Sequence, residues 1–123
     1  MAQQPRPGFR VKRVYDPAEA SDGTRVLVDR LWPRGVSKQR AHIDEWAKDV
    51  TPSDDLRRWF HADPEHREAE FRKKYRAELA AEAPQQGLAQ LRELAAKGPV
   101  TLVTAVRDPR HSQVAVLLEQ LER

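Results

Sequence analysis

The chain has 123 residues, with 22 Lys and Arg against 19 Asp and Glu for a net charge of +3 at pH 7, and it has no cysteine. That length suits one domain able to bury a single core. The missing thiols exclude a disulfide framework, a cysteine nucleophile and thiolate metal sites. No apolar run approaches a membrane span or a signal-peptide core, so a cytoplasmic protein with no membrane association is expected.

Charge is unevenly placed. Residues 25–40 carry Arg25, Arg30, Arg34, Lys38 and Arg40 against Asp29 alone, whereas residues 41–83 hold eleven acidic and eight basic groups. A local basic segment of this kind attracts anions, but the chain as a whole is not a polycation.

Residues 1–8, MAQQPRPG, are polar and rich in helix and strand breakers and read as a mobile arm, leaving 9–123 as the domain. FRVKRVY (9–15) alternates apolar and basic positions and predicts a half-exposed strand. The nine residues DPAEASDGT are too few for an ordinary helical crossover, so the strands on either side are antiparallel or not direct neighbours. RVLVDRLW (25–32) reads as a buried strand ended by Pro33 and Gly35. Residues 41–52 fit a short helix or a strand equally.

Ser53 then predicts a helix cap, with Asp54 and Asp55 beside the positive end of the helix dipole and Leu56, Trp59 and Phe60 on one face. Asp63-Pro64 repeats the start signal, and Phe71, Tyr75 and Leu79 continue an apolar stripe. Trp46, Trp59 and Phe60 are expected in the core. A helix over about 85–97 places Gly98 as its C-terminal cap. VTLVTAV (100–106) is a further buried strand, and Val114, Leu117, Leu118 and Leu121 define a final helix. The order of elements predicts one α/β domain, a small and mostly parallel sheet flanked by helices.

Three predicted strands run out into charge, at Tyr15-Asp16, Val28-Asp29-Arg30 and Val106-Arg107-Asp108. Open α/β sheets bind ligands beyond the carboxyl ends of their strands. If the second and last strands are parallel, Asp29, Arg30, Arg107 and Asp108 gather at one edge, with Arg34, Lys38 and Arg40 on the loop above. Arginine offers a planar donor fork to carboxylate or phosphate. Asp29 and Arg30 pairing with Arg107 and Asp108 as a purely structural network is the equal alternative. Trp32 fits a stacking platform or plain packing, and Arg57 lies one turn into the Ser53 helix. His111, close to Asp108 at a helix start, pairs imidazole with carboxylate as acid–base chemistry requires, or is simply a surface histidine. The other histidines show no metal-ligand spacing, and no Gly-rich phosphate loop, GxSxG or HExxH occurs. No metal or cofactor is expected.

The strings RVLVDRLWPRGVSK, WAKDVTPSDDLRRWF, FRKKYRAEL and GPVTLVTAVRDPRHSQVAVL together resemble the YeaO-like group of small bacterial proteins in the DUF 488 family, from about Val11 to Leu121. The resemblance implies a cytoplasmic α/β domain. It marks Asp29, Arg30, Trp32, Pro33, Arg34 and Gly35 as motif-bearing positions, then Lys48, Pro52, Ser53, Leu56, Arg57, Trp59 and Phe60, and finally Asp108 and His111. Two departures stand out. Leu102-Val103-Thr104-Ala105 replaces the family's usual leucine-tyrosine-alanine, and Ser112 replaces an asparagine. Relatives are sometimes labelled transcriptional regulators, yet no helix-turn-helix is legible here.

Function is expected at the strand ends. One expectation is a small-anion site with Asp29, Asp108 and His111 as catalytic candidates and Arg30, Trp32, Arg34, Lys38, Lys48, Ser53, Arg57 and Arg107 as binding candidates. It would serve a hydrolase or transferase acting on a phosphorylated or carboxylated compound, with Asp29 or Asp108 as the acid–base group and Arg30 and Arg34 stabilising an oxyanion. The other is a non-catalytic module that binds nucleic acid or a protein partner through the basic 25–40 segment.

Overall fold

Val100–Thr104 is buried at every position because it lies inside a sheet. A computed structural model describes residues 9–122, so the predicted arm at 1–8 lies outside the described residues. Four strands, β1 (Phe9–Arg13), β2 (Thr24–Leu27), β3 (Glu45–Trp46) and β4 (Val100–Thr104), pair in the order β1-β4-β2-β3. Every pairing is parallel. The first two strands are not neighbours, because β4 is inserted between them.

Among the described residues five α-helices accompany the sheet: α1 (Lys38–Ala41), α2 (Asp54–Ala62), α3 (Pro64–Leu79), α4 (Glu82–Lys97) and α5 (Gln113–Leu121). The architecture is α/β, as expected. Period-two alternation sorts the strand residues between the two faces. Val26, Val28, Val100 and Leu102 join the buried residues of α2, α3, α4 and α5 in the main core. Val103 faces the other way, into a smaller cluster with Val14 and Ala41, against which Trp32, Val36 and Ile43 pack. Four helices thus cover one face, and α1 with the 29–44 loop covers the other.

The second face also carries a polar plug. Asp22, 4% exposed, receives Arg25 Nη1 at 2.6 Å and Lys12 Nζ at 3.0 Å, and its carbonyl accepts from Thr101 Oγ1 at 2.8 Å. These bonds tie the one-turn helix Ala20–Asp22 across β1, β4 and β2. Gly23 follows with φ +65°, and a Cβ there would lie 2.2 Å from the Pro99 carbonyl oxygen. Only glycine fits this crossing of the sheet end.

Several local expectations shift. The strand predicted over 25–32 leaves the ladder after Leu27, although Val28 N still donates to Val103 O. Residues 41–52 resolve into the end of α1, the two-residue β3 and a one-turn helix at Lys48–Val50. The helix expected from 85 starts at Glu82, with Pro84 tolerated in the first turn, where no intrahelical N–H bond is lost. Gly98 is the C-cap but is fully extended, with φ 168°, rather than left-handed. Asp63 holds the N-cap position of α3 without bonding its backbone, and its carboxylate binds His66 Nδ1 at 2.9 Å instead. Of the three aromatic residues assigned to the core, Phe60 is there and Trp59 packs at its margin. Trp46 is 38% exposed on the edge strand, which among the described strands pairs with β2 alone.

Candidate functional site

The β2–β4 register pairs Leu27 with Val103, which continues to place Asp29 beside Ala105 where both strands end. A parallel ladder leaves backbone donors unpaired at such an end, and the Asp29 side chain takes up one of them, Ala105 N, together with two side-chain donors. Its Oδ2 accepts from Ala105 N at 2.7 Å, and its Oδ1 accepts from Thr104 Oγ1 at 2.6 Å and Gln113 Nε2 at 3.1 Å. Burial pushes the Asp29 carboxyl above its usual range, while the three donors pull it back only in part. Asp29 is thus a buried acid held by neutral donors. The predicted network with Arg107 and Asp108 does not form around it.

Asp29 lies on the wall of a cavity of about 320 Å³ beyond the strand ends. Arg30, Trp32 and Arg34 line it from the loop after β2, and Arg57 lines it from α2. The residues Pro52, Phe60, Phe71 and Val106 supply apolar wall. Phe60 and Phe71 stack with ring centroids 4.2 Å apart. The Trp32 indole N–H donates to Val36 O at 2.7 Å, and its ring meets Trp46 edge-on at 5.5 Å. The loop that forms one wall is therefore pinned by its own tryptophan, and Trp46 Nε1 adds a bond to Asp29 O at 2.8 Å.

The arginines are only loosely engaged. Arg30 Nε and Arg57 Nη2 approach one carboxylate oxygen of Asp54 at 3.6 and 3.7 Å, beyond good hydrogen-bond length. Arg57 Nε is buried with no acceptor, and Arg34 is exposed at the rim. Three guanidinium groups thus border one cavity with little protein acceptor between them.

The remaining candidates lie elsewhere. Asp108 Oδ1 accepts from the Arg110 backbone at 3.2 Å and from its Nε at 3.3 Å, and these bonds hold its carboxyl below the usual range. His111 binds Glu68 through Nδ1 at 3.3 Å, while its Nε2 stays 4.0 Å from Asp108. The anticipated Asp108–His111 couple is therefore not hydrogen-bonded, and neither residue lines the cavity. Arg107 is exposed. Ser53 caps α2 through Leu56 N at 3.2 Å and donates to Glu78 Oε2 at 2.6 Å, a structural task. Ser112 likewise caps α5, accepting from Val114 N at 3.2 Å. Lys48 sits 4.4 Å over the Trp46 ring at a separate small cavity, and Lys38 is on the surface of α1.

The basic segment does not form one face. Arg25, 4% exposed, spends its guanidinium on Asp22 and on the carbonyls of Ala41 and His42. Arg40 lines a different hollow beside Tyr15. Conversely, the cavity recruits His61, Gln113, Phe60 and Phe71, none of them named as site residues from sequence. Phe60 and Phe71 showed a core spacing, and His61 follows Phe60 on the same helix. Gln113 opens α5 and had no distinguishing signal.

Among the described residues no group of His, Asp and Glu is placed to hold a metal ion, and no helix is long and apolar enough to cross a membrane.

Comparison with known proteins adds a family. Residues 8–123 match the model of the DUF488-N3i family, described as the inactive DUF488-N3 subclade. The chain is 47% identical over 113 residues to the uncharacterised protein YeaO of Escherichia coli, covering 92% of this chain and 96% of that protein. It is 46% identical over 112 residues to the uncharacterised proteins Rv3073c of Mycobacterium tuberculosis and Mb3100c of Mycobacterium bovis, covering 91% of this chain and 92% of each. No solved structure matches. With its strand-end motif, its α/β sheet and a match over nearly its whole length, the chain belongs to the DUF488 family, among the YeaO-like proteins of bacteria.

Proposed function

We propose that this protein binds a small carboxylate- or phosphate-bearing compound in the cavity beyond β2 and β4, as a cytoplasmic binding module rather than a catalyst. The observation that carries this reading is the convergence of Arg30, Arg34 and Arg57 on one cavity, where Asp54 is approached by Arg30 and Arg57 only at 3.6 and 3.7 Å and Asp29 is taken up by neutral donors. A charged donor held from water without an acceptor is costly, and Arg57 Nε is such a donor. A ligand oxyanion offers the missing acceptors.

Two facts weigh against hydrolase or transferase chemistry at this place. Among the described residues Asp29 is the one carboxylic acid on the cavity wall and already takes three donors, while Asp108 and His111 are outside it and His61, the other titratable side chain of acid–base type on the wall, has no carboxylate partner there. The description of the matching subclade as inactive agrees with that inventory. The alternative use of residues 25–40 as a nucleic-acid or protein footprint loses support because Arg25 is buried and Arg40 faces another hollow.

The test is thermal unfolding of the protein with inorganic phosphate and with acetate at constant ionic strength. A ligand that binds only the folded state raises the midpoint with concentration. At least one of the two anions is expected to do so in the wild type and to lose the effect in Arg57→Gln. No rise with either anion overturns the reading.

A further inference from the structure

We infer that the cavity's ligand is an aromatic monocarboxylate, a single carboxylate on a flat apolar ring with few other polar groups. This inference rests on the anion-site reading above and adds the ligand's charge, body and polarity to it.

Charge comes first. Arg30, Arg34 and Arg57 bring three positive charges to the cavity. Asp29 on the wall and Asp54, within 4 Å of Arg30 and Arg57, bring two negative ones. The surplus is one positive charge, which a monoanion neutralises. A phosphate monoester is close to doubly charged at neutral pH. Its second charge would stand near the Asp29 carboxylate, which is buried among neutral donors with no cation paired to it. Like charges in a partly dehydrated site repel strongly. A carboxylate avoids that repulsion and suits the planar guanidinium fork.

The body follows from the walls. Phe60, Phe71, Trp32, Pro33 and Pro52 give the cavity flat, apolar surfaces. Aromatic faces favour offset or edge-on contact with another ring. A volume of about 320 Å³ stands at the small end of ligand pockets, room for one ring system and its head group.

Polarity narrows the class further. The Trp32 N–H is spent on Val36 O, and one N–H of Gln113 on Asp29. Outside the arginines, His61 and what Gln113 and Asp29 have left, the lining side chains are apolar and offer nothing to bond a hydroxyl. A polyhydroxylated acid would bury hydroxyl groups without partners, whereas a ring carries none to lose.

Affinities for acetate, benzoate, gluconate, inorganic phosphate and phenyl phosphate, measured by calorimetry at constant ionic strength on the full chain, test the inference. Benzoate is expected to bind about tenfold or more tighter than acetate, because its ring leaves water against the aromatic wall. It should also exceed phenyl phosphate, while gluconate matches acetate. Arg57→Gln should weaken benzoate, and nuclear Overhauser contacts should join the benzoate ring to Trp32 or Phe71. Equal affinity for acetate and benzoate, or a preference for phenyl phosphate or gluconate, overturns the aromatic-carboxylate class and leaves the anion site standing. Overhauser contacts elsewhere on the protein overturn it too. Absence of binding by all five compounds overturns both readings.

Discussion

Asp29 shows how one side chain links a strand end to the wall of a cavity. Ionised, it accepts from Thr104, Ala105 and Gln113, and burial still leaves its carboxyl above the usual range. A raised carboxyl favours the folded state most at low pH, and that contribution is lost as pH rises through its folded value. Removing a donor enlarges the loss. Thr104→Val deletes the 2.6 Å bond to Oδ1 and the acceptor for Val106 N at near-constant volume. It is expected to cost about 2 kcal/mol at neutral pH, in the range for bonds to charged groups, and less in acid, where Asp29 is neutral. Urea unfolding at neutral and acidic pH checks both the size and the trend. That Arg30 and Arg34 lie beyond a strand end was legible from sequence, because both follow directly on the buried run Val26-Leu27-Val28. Thr104 was not, because a threonine inside VTLVTAV looks like any β-branched strand residue until its neighbour across the ladder is known.

At the scale of elements, caps and crossings decide stability. Ser53 accepts from Leu56 N, and its own N–H and hydroxyl reach Glu78 of α3, so one residue starts α2 and joins two helices. Ser53→Ala is expected to lower stability by about 1–2 kcal/mol, the usual cost of losing a cap, without changing anion affinity. A chemical-denaturation midpoint beside an acetate or phosphate titration separates those effects. The cap was readable because Ser before two acids and an apolar face is a local signal. The bond to Glu78 was not, since 25 residues separate the partners. Residues 41–52 stayed open between helix and strand for a related reason. Two residues carry no periodicity, and Glu45–Trp46 becomes a strand only because β2 offers it a free edge.

Across the whole molecule, the two faces of the sheet are closed by different means. Helices bury one by apolar contact, and the other depends partly on the charged plug at Asp22. Burial alone would raise the Asp22 carboxyl, but the Glu19 backbone N–H, Lys12 and Arg25 outweigh it and leave the carboxyl below its usual range. A lowered carboxyl stabilises the fold above its unfolded value, near pH 4, and that contribution is lost as pH falls through the folded one. Asp22→Asn strands a buried guanidinium and is expected to cost about 3 kcal/mol at neutral pH. The difference from wild type should shrink as pH drops below 4, the same direction as for Thr104→Val but from the opposite shift. Thermal unfolding of both proteins across that range measures it. A gap independent of pH would show that Asp22 acts through packing instead.

What the chain's order of residues determined alone was local: the buried strand runs, the capped helices, the α/β class, and the charge that follows Val28. Those signals depend on neighbours a few positions apart, which is the range over which periodicity and capping act. Only the tertiary structure decided which charges meet. The parallel β2–β4 register brought Asp29 to Thr104 and Ala105, and the packing of α2 and α3 brought Arg57, Phe60 and Phe71 to the same cavity. The fold likewise turned Arg25 inward to Asp22 and left Asp108 and His111 outside. A side chain's role at a strand end depends on partners tens of residues away, and only strand register and helix packing choose them.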